Sequence, residues 1–248
     1  MTLNDFFARY PRVAIAFSGG VDSAYLLYAA TRYARAVQAY YVKSDFQPQF
    51  ELEDALRLAE DMHAALKVLR VDVLSDANVT ANPPNRCYFC KRRIFETIRA
   101  QAAADGFSVL LDGTNASDDV NDRPGVRALE ELSVLSPLRM CSLTKDEIRR
   151  LSKEAGLFTW DKPAYACLAT RIPSGDAITL EKLRATERAE GALFAMGFRD
   201  FRVRRMGDAA KLQLRDDQLN MALANRERIL AALRGDYSAV LLDLEVRK

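Results

Sequence analysis

The chain has 248 residues, enough for one large or two modest domains at about 150 residues per domain, and 49% of the residues are hydrophobic. Its 36 basic and 34 acidic residues leave a net charge of +2, so the chain lacks the overall charge of a nucleic-acid-binding protein. Four cysteines and one histidine, His63, argue against a disulfide framework and exclude most triads and metal sites that need histidine.

The sequence predicts a cytoplasmic protein that does not enter a membrane. No apolar run approaches the roughly 18 residues that a membrane helix needs. The first residues, "MTLNDFFARYPR", lack the basic-then-apolar order of a signal peptide.

The first part of the chain alternates predicted strands with predicted helices. The strands are expected at "RVAIAFSGG", "AVQAYYVKS", "KVLRVDVL", "FSVLLDGTN" and "SVLSPLRM". The helices are expected at "VDSAYLLYAATRYA", "FELEDALRLAEDMHAAL", from about Cys87 to Ala104, and at "KDEIRRLSKEAGL" between an N-cap at Thr144 and a stop at Gly156. This alternation predicts an α/β fold, a Rossmann-like parallel sheet covered on both faces, with ligands at the carboxyl ends of its strands.

The remaining residues predict a smaller α+β domain. An irregular connection over 161–176 contains Pro163, Pro173 and Gly175. After it we expect a helix, two strands, a second helix and a last strand, at about 179–196, 201–205, 211–214, 217–234 and 239–246. The predicted division is therefore a domain at 1–160, an active-site connecting loop at 161–176, and a small domain at 177–248.

The hexapeptide "SGGVDS", Ser18 to Ser23, joins the first strand to the first helix. Gly19 and Gly20 permit backbone conformations in which successive N–H groups converge on an anion at the positive end of the helix. An ordinary strand-to-helix turn is the alternative. The segment matches neither GxxxxGK[ST] nor GxGxxG, because no lysine follows the glycines and their spacing differs.

The cysteines allow several kinds of chemistry. Cys87 and Cys90 lie one helical turn apart in "NPPNRCYFCK", and Cys167 lies in "KPAYACLATRIPSG". The alternatives are a zinc site that lacks an obvious fourth ligand, a redox pair, three buried thiols, and three thiolates that hold a 4Fe-4S cluster with one open iron. Cys141, isolated beside Met140, is expected in the core.

Several charged residues are candidates for binding substrate. The loop "DGTNASDDVNDRPG" follows the fourth strand, and within it Asp119 and Arg123 are the chosen candidates, against a solvated acidic loop. Arg171 is a candidate phosphate or carboxylate clamp, against a surface arginine. Arg202 and Arg204 alternate along a strand onto one face. Glu190 is expected on a solvated helix face, and His63 receives no role.

The hexapeptide resembles the SGGxDS loop of the N-type ATP pyrophosphatases, which cleave ATP between the α and β phosphates and transfer AMP to a carbonyl oxygen. That resemblance implies that Ser18, Gly19, Gly20 and Ser23 bind pyrophosphate. It also implies that Asp22 helps to hold Mg²⁺, which prefers carboxylate and phosphate oxygens.

Four motifs together resemble the LarE family of ATP-dependent sulfur transferases. The hexapeptide, "NPPNRCYFCK", "DGTNASDDVNDRPG" and "KPAYACLATRIPSG" stand in the order of that family. The resemblance implies adenylation of a carboxylate of pyridinium-3,5-dicarboxylate mononucleotide and its conversion to a thiocarboxylate for nickel-pincer nucleotide synthesis. It further implies a homo-oligomer, and the phosphate of the substrate would meet Arg202 and Arg204.

The family delivers sulfur by two routes. In one, a single cysteine at the position of Cys167 gives up its own sulfur and becomes dehydroalanine. In the other, three cysteines matching Cys87, Cys90 and Cys167 carry a 4Fe-4S cluster that transfers an added sulfide, from a donor the sequence does not identify. All three cysteines are present, which favours the cluster route. The tail departs from the family at Arg205, Met206 and Gln213, so the identity of the substrate is less certain than the reaction type.

Two other functions remain open at this point. A tRNA thiolase of the same superfamily also joins this loop to cluster cysteines, but it usually brings an RNA-binding domain or zinc ribbons, and near-neutral charge argues against nucleic acid. A nucleotide-binding regulatory or metal-storage module without catalysis is the third reading, which the intact hexapeptide disfavours.

Overall fold

The computed structural model describes residues 1–119 and 124–247. The chain divides into two compact units. Unit 1 comprises Met1–Val73 and Asn85–Lys162, and unit 2 comprises Leu74–Pro84 and Pro163–Lys248.

The division differs from the sequence-based one for the residues from Leu74 to Pro84, which belong with unit 2. The backbone carbonyl of Asn82 accepts a hydrogen bond from Gly175 N at 2.9 Å, and that of Thr80 accepts one from Ile178 N at 2.8 Å. These bonds join segments far apart in the chain, so no local pattern in the sequence signals them.

Unit 1 is an α/β unit. In chain order it contains α1 (Leu3–Arg9), β1 (Arg12–Ala16), α2 (Val21–Tyr33), β2 (Ala36–Lys43), α3 (Gln49–Asp61), β3 (Leu66–Arg70), α5 (Arg86–Ala104), β4 (Leu110–Leu111), α6 (Pro124–Glu131), α7 (Pro137–Met140) and α8 (Lys145–Glu154), while α4 (Ala77–Thr80) belongs to unit 2.

The sheet of unit 1 has the order β3-β2-β1-β4, and every neighbouring pair is parallel. In its register Val13 lies opposite Val37, and Ala14 lies opposite Leu110. Successive strands extend from β1 to one side, and the chain then returns to place β4 on the other side. The predicted parallel α/β fold is confirmed, and the reversal of strand order puts a crevice beside the carboxyl end of β1.

The core of unit 1 forms where apolar strand residues meet the helices. Ile15, Leu26, Leu27 and Leu111 are buried in one hydrophobic cluster. The cluster also contains Phe6 from α1, a helix that sequence reasoning did not predict. A capping box between Thr2 and Asp5 begins that helix and is its sequence signal.

Two predicted strands differ from the structure: one is shorter than expected and the other does not form. The fourth strand is reduced to Leu110–Leu111. The predicted fifth strand is wrong, because Leu135 makes a single bridge to Leu111 and Pro137 then begins a short helix. Proline favours the first turn of a helix and donates no ladder hydrogen bond, which ends the strand.

Local signals fixed several helix boundaries correctly. Thr144 and Glu147 form a capping box at the start of α8, and Gly156 follows its end with φ +73. The helix α3 ends at Asp61, earlier than predicted. His63, which the sequence placed within that helix, lies after it with φ 50.

Unit 2 contains a three-stranded sheet and its helices. Besides α4 these are α9 (Leu180–Ala195), β5 (Arg202–Met206), β6 (Ala209–Gln213), α10 (Leu219–Ala224), α11 (Arg226–Leu233) and β7 (Ala239–Leu242). The strand β6 pairs antiparallel with β5 and parallel with β7. The helix predicted over 217–234 is interrupted at Asn225, which caps both α10 and α11.

Alternation along β5 divides the side chains of this sheet between two environments. Val203 packs with Leu212 and with Leu193 of α9 in the core of unit 2. Arg202 and Arg204, one position to either side of Val203, lie on the other face of the strand. Among the helices of residues 1–119 and 124–247, none combines the length and the apolar character needed to cross a lipid bilayer.

Candidate active site

The hexapeptide Ser18 to Ser23, the predicted phosphate loop, lies at the carboxyl end of β1 and leads into α2. Gly19 has φ +72, and a Cβ built on it would lie 3.3 Å from Ala55 Cβ, so both conformation and space favour glycine. Ser18 Oγ and Ser23 Oγ are 3.0 Å apart, and Ser23 Oγ donates to Gly20 O at 3.1 Å. The hydroxyls and backbone N–H groups of the predicted loop therefore surround the N-terminus of a helix of 13 residues.

Gly113 lies just after β4, close to the backbone of the phosphate loop. A Cβ at Gly113 would lie 3.0 Å from Ser23 N and 3.3 Å from Ser23 Cα. Backbone atoms cannot move aside as a flexible side chain can, so any larger residue at Gly113 displaces the start of α2.

Because the resemblance of the hexapeptide implies that this loop binds ATP, Gly113→Ala is expected to weaken ATP binding by about 1–3 kcal/mol, the range for overpacking a close contact. The matched control is Gly191→Ala in α9, where nothing lies within 4 Å of the added Cβ. Isothermal titration of both variants with ATP checks the expectation. Wild-type affinity in Gly113→Ala would contradict the inferred role of this contact.

Asp22, the predicted Mg²⁺ ligand, carries an ion pair at the same edge of the sheet. Lys145 Nζ lies 2.6 Å from Asp22 Oδ2, and Asn115 Nδ2 donates to Asp22 Oδ1 at 3.3 Å. Lys145 is the first residue of α8, and both partners of the ion pair are partly exposed. Three elements thus bring one carboxylate and one ammonium group to the mouth of the phosphate loop.

The loop after β4 is fixed by its own polar side chains. Asp112 accepts hydrogen bonds from Thr114 Oγ1 at 2.5 Å and from Ser136 Oγ at 2.6 Å. Asn115 is buried and accepts from Ser117 N at 2.8 Å. These bonds explain how the loop presents the Asn115 amide to Asp22.

The two charged residues chosen from that loop have different outcomes. Asp119 lies on an exposed position. Arg123 lies outside the described residues. Their predicted contacts with substrate remain predictions.

Cys87 and Cys90 occupy the first turn and a half of α5 in unit 1. Cys87 is exposed and Cys90 is buried. The guanidinium of Arg86 lies 5.5 Å from the ring centroid of Phe46, and its Nη2 is 3.6 Å from Cys87 Sγ. The side chain of Arg86 therefore lies between an aromatic ring and the exposed thiol of Cys87.

Cys141 packs against the hydrophobic core of unit 1, which confirms the expectation for it. Its burial raises the pKa of the thiol, so the reactive thiolate is disfavoured.

Cys167 lies in unit 2, immediately before a short 3₁₀ helix from Leu168 to Arg171. It is partly buried. Its carbonyl accepts from Thr170 N at 3.0 Å and from Thr170 Oγ1 at 2.8 Å, which fixes the backbone of the thiol-bearing residue.

The predicted clamp residue Arg171 is buried and ion-paired. Its side chain is 0% exposed, and that of Glu190 is 2% exposed. Arg171 Nε and Nη2 donate to Glu190 Oε1 and Oε2 at 2.8 and 3.1 Å. Burial alone would lower the pKa of Arg171, but the hydrogen bonds and charge of Glu190 raise it. The expectation of a solvated Glu190 is wrong, because its carboxylate compensates this guanidinium.

Arg202 and Arg204 share a face of β5, as predicted, and both donate to the segment around Cys167. Arg202 Nη2 donates to Ala164 O at 2.5 Å, and Arg204 Nη1 donates to Thr170 O at 2.8 Å. Burial, with the nearby charges of Arg171 and Arg247, lowers the pKa of Arg202 to about 10. This face of unit 2 is therefore rich in positive charge.

No group of three or more His, Cys, Asp or Glu side chains is arranged to hold a metal ion in the part of the chain that the structure describes. Cys87 and Cys90 belong to unit 1 and Cys167 to unit 2. The predicted 4Fe-4S cluster therefore gains no support from the geometry.

Sequence reasoning missed Lys145, Asn115 and the structural role of Glu190. Because Lys145 follows the N-cap Thr144, the sequence predicts that it lies in the first turn of a helix. The sequence does not predict its ion pair with Asp22. Glu190 lies with Ala189 and Leu193 on the buried face of α9. An acidic residue among apolar residues on one helix face indicates a buried partner of opposite charge.

No protein-family model matches the chain. Several curated proteins are similar to it. The uncharacterized protein slr1717 of Synechocystis is 39% identical over 98% of this chain and 92% of its own length. The pyridinium-3,5-bisthiocarboxylic acid mononucleotide synthase of Lactiplantibacillus plantarum is 31% identical over 94% of this chain and 86% of its own length. The tRNA-specific 2-thiouridylase MnmA of Pseudothermotoga lettingae is 28% identical, over 66% of this chain and 57% of its own length.

Proposed function

We propose a sulfur-transfer function from one premise: this chain belongs to the LarE family of PP-loop proteins. In this proposal it uses ATP to adenylate a carboxylate of pyridinium-3,5-dicarboxylate mononucleotide, releases pyrophosphate, and converts the carboxylate to a thiocarboxylate. The observation that carries the proposal is the phosphate loop in the crevice beside β1, with Gly19 in a left-handed conformation and the Asp22–Lys145 pair at its mouth.

In the first step a carboxylate oxygen of the substrate attacks the α-phosphorus of ATP. The new O–P bond forms as the bond from the α-phosphorus to the bridging oxygen of pyrophosphate breaks. Ser18, Ser23 and the N–H groups at the start of α2 would bind the departing pyrophosphate, because helix N-termini stabilise anions. Lys145 would neutralise part of its charge.

Magnesium would compete with Lys145 for Asp22. The carboxylate of Asp22 is a hard oxygen ligand beside the phosphate loop, which suits Mg²⁺ bound to a nucleotide. Asp22 would hold the metal, and the Lys145 ammonium would then turn toward the phosphates. Only side-chain rotation is needed, because both groups are partly exposed.

In the second step sulfur replaces AMP on the activated carbonyl carbon. We propose that Cys167 takes part, together with Cys87 and Cys90 as ligands of a 4Fe-4S cluster. The two thiols on one turn of α5, beside the Arg86 guanidinium, have the donor chemistry that such a cluster takes. When bound, the cluster would supply an open iron for a sulfide. In the alternative route the Cys167 thiolate attacks the carbonyl carbon and displaces AMP, and loss of the Cys167 Cα proton with cleavage of its Cβ–Sγ bond then leaves the thiocarboxylate and dehydroalanine.

Positive charge around Cys167 supports an anionic substrate. Arg202 and Arg204 lie on the same strand face and their pKa values are lowered by burial and by neighbouring arginines, so a phosphate would relieve their repulsion. Asp119 and Arg123 are proposed contacts as well. A homo-oligomer and an external sulfide donor complete the proposal.

The direct test is pyrophosphate release. Purified protein with ATP, Mg²⁺ and the pyridinium dicarboxylate mononucleotide is expected to release pyrophosphate and form AMP, and omission of the mononucleotide is expected to remove the signal. Mass spectrometry of the product would then detect a thiocarboxylate. Pyrophosphate release that does not depend on the mononucleotide would contradict the assigned substrate.

Anaerobic purification followed by iron and sulfide analysis tests the cluster. About four irons per chain are expected in the wild type, and loss of iron in Cys87→Ser and Cys90→Ser. Cys141→Ser is the matched control, since that thiol packs in the core of unit 1. Zinc in place of iron, or full transfer activity without iron, would refute the cluster and leave the route through Cys167 alone.

A tRNA thiolase is the second candidate, favoured by the similarity to MnmA. Filter binding of bulk tRNA distinguishes it. Tight binding that weakens steeply with salt would support it.

A further inference from the structure

The segment that carries Cys167 is held at its backbone by three arginines of unit 2. Arg202 donates to Ala164 O and Arg204 to Thr170 O. Arg171 Nη1 donates to Ala166 O at 2.9 Å. Carbonyl groups on both sides of Cys167 thus receive guanidinium donors, which are rigid forks that fix the geometry of their acceptors.

Glu190 binds one of these donors, Arg171, and the backbone of β5 between the other two. Besides both bonds from Arg171, its Oε1 accepts from Val203 N at 2.9 Å, and its Oε2 accepts from the hydroxyl of Tyr165. One carboxylate of α9 therefore joins the Cys167 segment on its N-terminal side, at Tyr165, and on its C-terminal side, at Arg171. It also ties both to β5.

The Glu190 carboxylate lies in a region that also contains the positive charges of Arg171 and Arg202. The centroid of the Tyr165 ring lies 4.7 Å from Arg171 Cζ and 5.3 Å from Arg202 Cζ, so two guanidiniums approach one aromatic ring. The side chain of Arg202 is 7% exposed and that of Arg171 is fully buried. Burial and the charge of Arg171 lower the pKa of Arg202, whereas the charge of Glu190 raises the pKa of both arginines, so this carboxylate partly compensates the two cations.

We propose that Glu190 is a positioning residue for sulfur transfer: through Arg171 and Tyr165 it sets the backbone conformation, and hence the thiol orientation, of Cys167. The inference rests on the proposed function, because it assigns Glu190 a role in the second step only. Adenylation depends on the phosphate loop of unit 1, whereas the hydrogen bonds of Glu190 go to Arg171, Tyr165 and the backbone of Val203, which the proposed first step does not use. Glu190 acts through the two residues that it fixes.

The test is Glu190→Gln, which keeps the shape of the side chain and removes its charge. Pyrophosphate release is expected to stay within about twofold of wild type. Formation of thiocarboxylate from the acyl adenylate is expected to fall about 10–100-fold, as for a misplacement of about 1 Å. Glu181→Gln, in the exposed first turn of the same helix, is the matched control and is expected to change neither rate.

Hydrogen exchange supplies a readout that needs neither ATP nor substrate. Peptides covering residues 163–172 are expected to exchange about tenfold faster in Glu190→Gln, since local opening sets exchange rates. Peptides of α10 and α11 are expected to exchange at the wild-type rate, which shows that unit 2 remains folded.

Tyr165→Phe guards against a folding defect in the first variant. It removes only the hydroxyl donor to Glu190 and keeps the aromatic ring beside both guanidiniums. A smaller loss of transfer rate, in the same direction, is expected.

A parallel loss of pyrophosphate release and sulfur transfer in either variant, or an unchanged rate of exchange over 163–172 in Glu190→Gln, would overturn the inference. Failure of the wild type to release pyrophosphate would instead defeat the proposed function, and the exchange measurement would still report whether Glu190 holds the segment.

Discussion

Cys167→Ser is expected to abolish thiocarboxylate formation, by a factor on the order of 10³ or more, the scale for removal of a nucleophile. A serine hydroxyl cannot supply sulfur and is not ionised near neutral pH, so neither proposed route survives. Pyrophosphate release is expected to stay within about twofold, because the phosphate loop lies in unit 1 and Cys167 in unit 2. A coupled assay of pyrophosphate and mass spectrometry of the mononucleotide measures the two steps separately.

The control for this variant is Cys141→Ser, which changes a thiol packed on the core of unit 1 and is expected to leave both steps intact. The wild-type protein after reaction distinguishes the routes. Conversion of Cys167 to dehydroalanine, with one turnover per chain, indicates the sacrificial route. Repeated turnover with an intact Cys167 and bound iron indicates the cluster. Undiminished thiocarboxylate formation by Cys167→Ser would contradict both.

Arg171→Met is expected to destabilise unit 2 by about 3–5 kcal/mol, the cost of breaking a buried ion pair from one side. The change leaves the Glu190 carboxylate, which is 2% exposed, without its guanidinium. It also removes the donor to Ala166 O. Denaturant-dependent hydrogen exchange of peptides from α9 measures this loss in the unit where it arises.

Arg188→Met provides the matched comparison, at a position in α9, the helix that carries Glu190. Arg188 pairs with Asp236, but its side chain is 57% exposed, so the loss is expected to be no more than about 1 kcal/mol. The double variant Arg171→Met with Glu190→Gln is expected to be less destabilised than the sum of the single variants, because the two residues interact directly. Equal costs for Arg171→Met and Arg188→Met would show that the buried pair contributes no more than an exposed one.

The predicted elements of unit 1 were largely correct where the sequence carries a strong local pattern. Apolar runs fixed β1 and β2, and the Thr144 capping box and Gly156 fixed α8. The fifth predicted strand is wrong because the apolar run "SVLSPLRM" contains Pro137, which begins a short helix in place of the strand. The helix over 217–234 was predicted as one piece because its apolar periodicity continues across Asn225, where α10 ends and α11 begins.

The candidate site likewise contains residues that a local sequence pattern predicts and residue pairs that no local pattern predicts. The phosphate loop could be predicted because adjacent residues in the chain form it, and Gly19 has the left-handed conformation that its residue type allows. Phosphate binding by its glycines, serines and acidic residue stays a prediction. The Asp22–Lys145 pair joins residues 123 positions apart, and no sequence pattern connects them. Arg171 was predicted as a phosphate or carboxylate clamp, or else a surface arginine, because an isolated arginine in a loop gives no indication of its burial.

The sequence by itself determined the α/β class, the phosphate loop, the three cysteines and the family resemblance, because each depends on residue types within one short segment. Only the tertiary structure decided that the segment after β4 approaches the loop at Gly113, that residues 74–84 belong with unit 2, and that Glu190 is buried against Arg171. The reason is physical: conformational preference acts over a few neighbouring residues, whereas burial and charge compensation depend on which distant segments the fold brings into contact.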